Sequence, residues 1–587
     1  MFSRKHSHHA FLHLVGMASW IFIPLLLAGC GAGSNSSAPA SAKVTGTPGA
    51  EGSVGERLFV ETRFAQFFKA HLPPGGNVND PLPAGDPVVA KVPIPGNPLG
   101  VAGPFAGMSM NCRSCHFVDE FVDGLGNNMR TYADFVTRSP IPARPDGKTA
   151  APRNSPPLVN ASLNRPGGTL FHFDGEFSTL EDLIVGTFTG RNFGWLPGQK
   201  AEAIHHIAQV LRGDDGTGDI AQQFDGLPYA ELFTGASPNI PDELRLPPEF
   251  RVLILSASDQ EIFDAVVKVV AAYVNGLRFS QTDDSGNLIR SPFDVFLSRN
   301  GLPQRPNSGE TPLNYSRRLL TLVNALGSPQ FVTSNPNNPT NLHGKFQFHP
   351  GQGFIFGAQE LAGLKIFLQE PSTPPSVSPA EILAGKVGNC LACHAVPNFT
   401  DFKLHNTGIA QAEYDSIHGP GTFAVLSTSI PSLGTRTSND LPATEDHPSA
   451  NGFFRSVPTL ADPALTDLGV WNIFQNPDMP NPQDKIRAIL CEEHPPTSCP
   501  ADNVLLDEAI ARFKTPGLRD LSHSAPYMHN GQFATLENAV GFYLGASDRA
   551  RAGTLVNGIN AVRGIALLPA DIAPLVAFLK SLNEDYQ

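Results

Sequence analysis

Four stretches of the chain place apolar residues at the spacing of an amphipathic helix, so the pattern predicts a mainly α-helical protein. They run from Gly55 to Lys69, from Gln260 to Leu277, from Gly357 to Gln369 and from Asp571 to Leu582. The first and the third each precede a similar cysteine motif. We therefore expect two related halves, each with a helix upstream of its motif.

Proline-rich and glycine-rich stretches separate these helices. The chain has 55 Gly and 54 Pro among 587 residues, and only 16% of its residues are charged. This composition is typical of long irregular loops around buried groups, rather than of a helical bundle or a disordered chain. Residues 70–110 and 405–480 are predicted to be loops or insertions. Prolines and Asn-Pro repeats predict a linker at 301–355, between domains at 53–300 and 356–587.

The cysteine motif has the sequence Cys-x-x-Cys-His and occurs twice. Two thiols at this spacing can bond the two vinyl groups of one haem, and the adjacent histidine then reaches the iron. Zinc sites normally pair Cys-x-x-Cys with distant ligands instead. We therefore expect two cytochrome c-like domains, each with a covalent haem c. Haem 1 would be held by Cys112, Cys115 and His116, and haem 2 by Cys390, Cys393 and His394.

The N-terminus has the features of an export signal. Arg4 and Lys5 precede an apolar run from Phe11 to Leu27, and Leu-Ala-Gly-Cys30 follows. The last four residues resemble a bacterial lipoprotein signal, which predicts a signal peptide at 1–29 and a lipid on Cys30. A membrane-spanning helix is the alternative, but the run is short and is interrupted by a histidine and a proline.

Residues 30–52 are predicted to be a flexible tether, because they are rich in Ser, Ala and Gly. Gly31 follows the lipidated cysteine where retention in the inner membrane would favour an acidic residue. We therefore expect a periplasmic protein anchored to the outer membrane by lipid only. In that oxidising compartment Cys491 and Cys499 are expected to form a disulfide, and two buried thiols are the alternative.

The net charge of −13 argues against nucleic acid as a partner. It permits docking of a basic redox protein, although it also simply keeps the surface soluble. The chain has no glycine fingerprint for dinucleotides and no phosphate-binding loop.

Several sequence blocks resemble the di-haem cytochrome c peroxidase family, including its MauG-like branch. The blocks cover most of residues 53–587, and those of the C-terminal half are the more specific. In the first half they are Arg153–Pro156, Asp174-Gly175 and Ser291–Asp294; in the second they are Cys390–Asn398, Phe513–Arg519, Ser524–Gly531 and Ala534–Glu537.

The resemblance implies that haem 1 meets hydrogen peroxide and that haem 2 relays electrons to it. The donor would be a small redox protein, either a cytochrome c or a cupredoxin-like protein. The segment that carries the sixth ligand of haem 2 has Tyr543, as in the MauG-like branch, where peroxidases have Met. Phenolate ligation would favour ferric iron and lower the potential. Met528 is a competing ligand, and Tyr543 as an ordinary core residue is the third possibility.

Haem 1 is expected to have an open coordination position. Some relatives carry a histidine in the loop after the first motif, but this chain has none between His116 and Asn154. Met129 and Tyr132 are weaker candidates for that position. An open iron is what chemistry with peroxide or oxygen requires.

The chain departs from the peroxidase pattern around haem 1. Phe173 stands where relatives place a Trp between the haems, and Glu176 and Leu183 replace an Arg and a Gln. The segment expected to hold the catalytic Glu, Thr189–Trp195, contains none. Another polar group must then move the proton of peroxide. The nearby candidates are His172, Glu176, Glu181, Asp182 and Arg191, whereas His205 and His206 are expected to be structural.

The family also implies a calcium ion, held by the amide of Asn154 and by the carbonyls of Ser524 and Pro526. Neutral oxygen ligands suit Ca²⁺. The alternative is that Asn154 fixes a turn.

Together these features predict an exported di-haem c enzyme that reduces hydrogen peroxide. The first alternative is a MauG-like oxidase, or a haem oxygenase, that acts on a protein or organic substrate. The second is an electron carrier without enzymatic activity.

Overall fold

Helices dominate the computed structural model, as the apolar pattern predicts. All structural statements refer to the residues that it describes: 49–94, 97–103, 105–116, 120–123, 128–131, 138–158, 160–163, 165, 168–277, 291–333, 354–495, 498–521 and 524–583. The predicted signal peptide, Cys30 and Tyr132 lie outside these residues.

The helices of the first half are α1 (Ala50–Phe59), α2 (Gln66–His71), α3 (Leu180–Phe188), α4 (Lys200–Gly213), α5 (Asp219–Gln222), α6 (Tyr229–Leu232) and α7 (Asp259–Gly276). Those of the second half are α8 (Pro292–Arg299), α9 (Pro312–Asn324), α10 (Ala358–Leu368), α11 (Pro379–Ala384), α12 (Ile409–His418), α13 (Thr422–Ser427), α14 (Gln483–Cys491), α15 (Asp502–Glu508), α16 (Leu536–Ala552), α17 (Asn560–Arg563) and α18 (Pro569–Lys580).

Six short strands form three antiparallel pairs within the described residues. They are β1 (Lys91–Ile94) with β2 (Asn97–Ala102), β3 (Glu120–Asp123) with β4 (Asn128–Thr131), and β5 (Leu404–His405) with β6 (Phe513–Lys514). The last pair brings the segment after the second haem motif beside a segment more than a hundred residues later.

Each half contains one tightly crossed helix pair, which supports the predicted relationship between the halves. In the first half α1 packs on α7, and in the second α10 packs on α18. Both contacts are made at a glycine. A Cβ atom on Gly55 would lie 2.5 Å from the Val269 carbonyl oxygen, and one on Gly363 would overlap the carbonyl of Pro574. A larger residue at either position would force the helices apart.

Three of the four predicted helices are confirmed as α7, α10 and α18, with bounds that shift by no more than two residues. The fourth prediction, one helix from Gly55 to Lys69, is wrong because α1 ends at Phe59. Glu61 follows as a buried carboxylate that accepts hydrogen bonds from Arg63 and Tyr229. These bonds fix the segment between α1 and α2 in a non-helical conformation. The predicted loop at 405–480 also contains two helices, α12 and α13.

The hydrophobic cores differ from the predicted division of the chain. One core is built from residues 54–274 of the first half. Helices α8 and α9 contribute Phe293, Phe296 and Tyr315 to the core of the second half, so they belong there by packing. The predicted boundary at 300 therefore divides residues that fold together, whereas α1 begins inside the predicted tether at 30–52.

A third core joins the halves. It contains Leu170 and Phe173 from the first half, packed with side chains between Leu404 and Phe513. At its edge the structure links Cys491 and Cys499 in the predicted disulfide. Among the described helices, none combines the length and the apolar character needed to cross a membrane.

Candidate active site

The two haem motifs adopt the same local structure. Each begins with a 3-10 turn, Cys112–Ser114 or Cys390–Ala392. The N–H of His116 donates to the Cys112 carbonyl at 2.9 Å, and the N–H of His394 donates to the Cys390 carbonyl at 2.8 Å. All four thiols are free of disulfide bonds. The geometry therefore keeps each pair of thiols and its histidine together, as covalent haem attachment requires.

Each motif lines its own cavity. His116 and its two cysteines line cavity 1, whose other sides come from α3, α7 and the 3-10 turn Arg191–Phe193. His394 and its two cysteines line cavity 2, together with side chains of α16, α18 and β6. Both cavities are lined mainly by apolar residues, as the body of a porphyrin requires.

His116 and His394 are both suited to bind iron as neutral imidazoles. Burial lowers the pKa of His116 to about 4 and also lowers the pKa of His394. Nδ1 of His394 donates to the Phe399 carbonyl at 2.8 Å, so Nε2 carries the free lone pair. Nδ1 of His116 is buried near the Pro156 carbonyl but makes no hydrogen bond to the described residues. The two thiols and the histidine of each motif therefore fit a haem in the corresponding cavity.

Phe173 lines both cavities. It is 8% exposed and belongs to the core that joins the halves. Its carbonyl accepts a 2.6 Å hydrogen bond from the N–H of Lys514, which itself lines cavity 2. Burial lowers the pKa of Lys514 to about 8. Phe173 therefore forms part of the partition between the two cavities.

A buried ionic network that the sequence did not reveal follows Phe173. Arg153 pairs with Asp174 of the first half and with Asp467 of the second, the latter at 2.6 Å. Arg455 pairs with Asp174 at 3.1 Å and with Glu176. His172, Asp174 and Glu176 lie close enough to share a metal ion, but the two arginines already neutralise the carboxylates. The network instead links Arg153 and Glu176, in and beside the lining of cavity 1, to Asp467 and Arg455 of the second half.

The polar candidates near haem 1 have different environments. Arg191 lines cavity 1, and its Nε is buried without a partner among the described residues. Burial, with Arg455 and Arg153 nearby, lowers the Arg191 pKa to about 10. The expectation for Glu181 and Asp182 is wrong: neither lines the cavity, and Glu181 is exposed. Both occupy the first turn of α3, where solvent and the helix N-terminus stabilise carboxylates.

Tyr543 and Met528 both line cavity 2, so the structure keeps both as candidates for the sixth ligand of haem 2. Burial, with the thiols of Cys393 and Cys390 nearby, raises the pKa of Tyr543 above its usual range. Met528 has a φ of 71°, in the left-handed region that a methionine rarely adopts. Met129 belongs to β4, and the structure describes only its backbone.

The structure brings Asn154 to the predicted calcium segment. Its Nδ2 donates to the Pro526 carbonyl, and its Oδ1 accepts from the N–H of Ser155 at 2.9 Å. Its own N–H donates to the carbonyl of His529 at 2.7 Å. Ser524, two residues before Pro526, is also buried, and its hydroxyl donates a hydrogen bond to the Asp520 carbonyl at 2.9 Å. Both polar atoms of the Asn154 side chain therefore have hydrogen-bond partners, as in a residue that only fixes a turn. To bind a calcium ion beside the Pro526 carbonyl, the amide would have to rotate so that Oδ1 faces Pro526.

Neither His205 nor His206 lines a haem cavity. His206 is buried and its Nε2 bonds the carbonyl of Arg63 at 2.8 Å, whereas His205 is exposed and bonds Asp259.

Comparisons with known proteins give partial matches. No family model matches the chain. It is 27% identical over 203 residues to the cytochrome-c peroxidase IdrP2 of Denitromonas iodatirespirans, which covers 35% of this chain and 38% of that protein. It is 36% identical over 74 residues to the cytochrome-c peroxidase IdrP1 of the same organism, covering 13% and 18%. The chain thus spans about two fifths or less of the length of these curated relatives.

Among solved structures, the diheme peroxidase BthA of Burkholderia thailandensis E264 matches with a TM-score of 0.39 and 15% identity, over 91% of this chain and 86% of that one. A MauG-like protein associated with microbial copper homeostasis matches with a TM-score of 0.38 and 15% identity, over 94% and 96%. Both TM-scores lie below 0.5, so these likenesses support no conclusion about the site. The sequence matches are to proteins named cytochrome-c peroxidase, so the matched segments of this chain are similar to oxidoreductases of that class.

Proposed function

We propose that the chain is a di-haem c oxidoreductase that reduces hydrogen peroxide at haem 1 with electrons relayed from haem 2. The observation that carries this proposal is the pair of cavities, each lined by a complete Cys-x-x-Cys-His motif and both lined by Phe173. Haems held in the two cavities would lie on either side of this buried side chain, which would suit electron transfer between them.

When bound, the haems would supply the redox chemistry, and the residues of the chain would position it. His116 and His394 would hold the irons, and the Phe399 carbonyl would orient His394. Apolar side chains would exclude water from both cavities. The buried Arg191 guanidinium would stabilise negative charge that develops on the departing peroxide oxygen, as fixed cations do in dry sites.

We further propose a small cytochrome c or cupredoxin-like protein as the electron donor, because haem 2 needs a one-electron partner. The net charge of −13 favours a basic protein in that role. Calcium at Asn154, Ser524 and Pro526 remains part of the proposal, supported by the meeting of Asn154 with Pro526.

Export and lipidation at Cys30 also remain proposals, supported by the signal sequence alone. Cys30 lies outside the described residues. Intact mass of the membrane-extracted protein tests this point: a mature chain that begins at residue 30 with a lipid supports it, and soluble recovery of the wild-type protein contradicts it.

The second candidate function is oxidation of a protein or organic substrate, as in the MauG-like branch. The presence of Tyr543 in cavity 2 favours it, since that branch has a tyrosine in the ligand-bearing segment. Phe173, which stands where the peroxidase relatives have a tryptophan, is a second reason to keep this candidate.

Steady-state turnover of the full-length, haem-loaded protein tests the proposal. Hydrogen peroxide and a reduced small cytochrome should be consumed in a ratio of one to two, because each peroxide takes two electrons. Consumption of peroxide only with an added organic or protein substrate would favour the oxidase. Absence of any consumption would favour the electron carrier.

A further inference from the structure

A short turn presents His172 to cavity 1. The N–H of Phe171 donates to the Phe177 carbonyl at 2.8 Å and closes the turn, and His172 lies just inside it. The His172 φ of 60° is in the left-handed region, which histidine adopts more readily than most residues. Phe177 contacts the imidazole edge-on at a centroid distance of 5.0 Å. The ring is therefore held in place, with 18% of its side chain exposed.

Glu176 determines which nitrogen of His172 carries the proton. Its carboxylate lies 2.9 Å from His172 Nδ1, on the other side of the turn. Burial alone would raise the Glu176 pKa, but Arg455 and His172 lower it well below its usual range, so the group is ionised. An ionised carboxylate can only accept a hydrogen bond, so Nδ1 must donate. In the neutral ring Nε2 then carries the lone pair.

The orientation of this pair is fixed from the second half of the chain. Arg455 binds both carboxylate oxygens of Glu176, with Nη1 at 3.0 Å from Oε1, and it also binds Asp174. Such a bidentate pair restricts the carboxylate in both position and plane. His172 Nε2, by contrast, has no hydrogen-bond partner among the described residues, and the side chain lines cavity 1.

His172 and His116 have separate tasks in the same cavity. His116 directly follows Cys115, which commits it to the iron, whereas His172 belongs to a different segment of the lining. We propose that His172 is the catalytic base that takes the proton of hydrogen peroxide at Nε2, and that Glu176 is its positioning residue. This inference rests on the proposed function, and it supplies the proton acceptor that the missing glutamate would have provided.

The proton balance is complete. Nε2 accepts the proton of one peroxide oxygen and returns it to the other, the O–O bond breaks, and one water leaves. The remaining oxygen atom becomes the second water with two electrons from the proposed donor protein and two protons from solvent. His172 ends neutral and ready for the next peroxide. Proton transfer of this kind typically accelerates a reaction by about 100- to 10,000-fold.

Burial lowers the pKa of His172 below its ordinary value of 6.5 and thereby keeps the base neutral near pH 7. The charged groups that face it are Glu176 and Asp174, which oppose this shift, and Arg191, which adds to it; His116 is the further titratable neighbour, and Arg455 acts through Glu176. The rate of the peroxide reaction should be constant above the pKa and should fall as the pH drops through it.

The test compares His172→Gln and Glu176→Gln with the wild-type haem-loaded protein. His494→Gln is the matched control, since His494 bonds Glu508 at 2.9 Å but lines neither haem cavity. Three properties are measured: the ferric spectrum, the rate of reaction with peroxide, and the rate of cyanide binding. Hydrogen cyanide must also lose its proton when it binds, so it reports on the same base without electron transfer.

His172→Gln should retain two haems and the high-spin ferric spectrum. Its peroxide reaction should slow by about 100-fold or more, and its cyanide binding should slow as well. Glu176→Gln should show a smaller loss in both rates, because the ring remains in the cavity without a fixed tautomer. His494→Gln should match the wild type.

Two results of the His172→Gln comparison would overturn the proposal. The first is a His172→Gln protein that reacts with peroxide and cyanide at the wild-type rates. The second is a wild-type haem 1 that is low-spin and becomes high-spin in His172→Gln, since His172 would then be an iron ligand. If the variant loses its haem, the wild-type pH profile decides: a peroxide rate that does not fall in acid contradicts the proposal. A further outcome would refute only the proposed function: the wild-type protein does not react with peroxide, but it binds cyanide faster than His172→Gln does.

Discussion

The backbone N–H of Lys514 donates a 2.6 Å hydrogen bond to the carbonyl oxygen of Phe173. Lys514 lines the cavity of haem 2, and Phe173 lines both cavities. The bond therefore connects the two candidate haem sites through one buried residue and one strand of the second half. In the proposed enzyme this partition keeps the haems at a fixed separation, on which the rate of electron transfer depends.

Covalent attachment of two haems is expected, because both motifs have the same turn and free thiols. Replacing Cys115 with Ser should remove one thioether bond at haem 1 and leave haem 2 intact. Cys393→Ser should have the mirror effect. A pyridine haemochrome assay and intact mass of each variant measure the outcome. A wild-type protein with one haem per chain would contradict the expectation.

Tyr543 is expected to be the sixth ligand of haem 2. Tyr543→Phe should change the low-spin spectrum and raise the potential of haem 2, since phenolate ligation favours ferric iron. Met528→Leu, in the same cavity, should leave both properties unchanged. Spectra and redox titrations of the two variants decide. An unchanged Tyr543→Phe protein together with an altered Met528→Leu protein would assign the ligand to Met528.

The ion pair between Arg519 and Asp294 is expected to stabilise the second half. The two side chains are 6% and 2% exposed and make two hydrogen bonds, at 2.8 and 2.9 Å. Asp294→Asn leaves a buried guanidinium partly unpaired, which typically costs about 3–5 kcal/mol. Denaturant unfolding should show the loss. Asp242→Asn is the control, because Asp242 is 98% exposed and its pair with Arg245 should contribute little. Equal effects would contradict the prediction.

Calcium is expected to stabilise the protein through Asn154. Removing the ion with a chelator should lower the melting temperature of the wild-type protein, and added calcium should restore it, since a ligand of the folded state stabilises that state. Asn154→Ala should abolish this response, and replacing the exposed Asn239 should not. If neither the chelator nor added calcium changes the melting temperature of the wild-type protein, the prediction is wrong and Asn154 only fixes a turn.

The parts of the site that depend on local sequence were predictable. Covalent haem attachment needs five contiguous residues, and an amphipathic helix shows its period within about ten, so the motifs and α7, α10 and α18 could be identified. The break after Phe59 could not, because it depends on the bond from the distant Tyr229 to Glu61.

The ionic network was not predictable for the same reason. Arg153 belongs to a recognisable sequence block, but its partner Asp467 lies more than three hundred residues later and no local pattern marks it. The exposed position of Glu181 was likewise not apparent, because the sequence pattern did not predict α3 and so gave no indication of which of its residues face the cavity. The turn at 171–177 had one sequence signal, the repeated phenylalanines around Asp-Gly, which indicate a turn closed by apolar residues.

The reaction of the fully ferric protein with one equivalent of hydrogen peroxide tests the central claim most directly, namely that haem 1 reacts with peroxide and haem 2 relays electrons. Electron paramagnetic resonance follows both irons in one sample. Loss of a high-spin signal from haem 1 before any change in the low-spin signal of haem 2 is the predicted result. A wholly low-spin ferric protein in which peroxide changes neither signal would contradict the account and would favour an electron carrier.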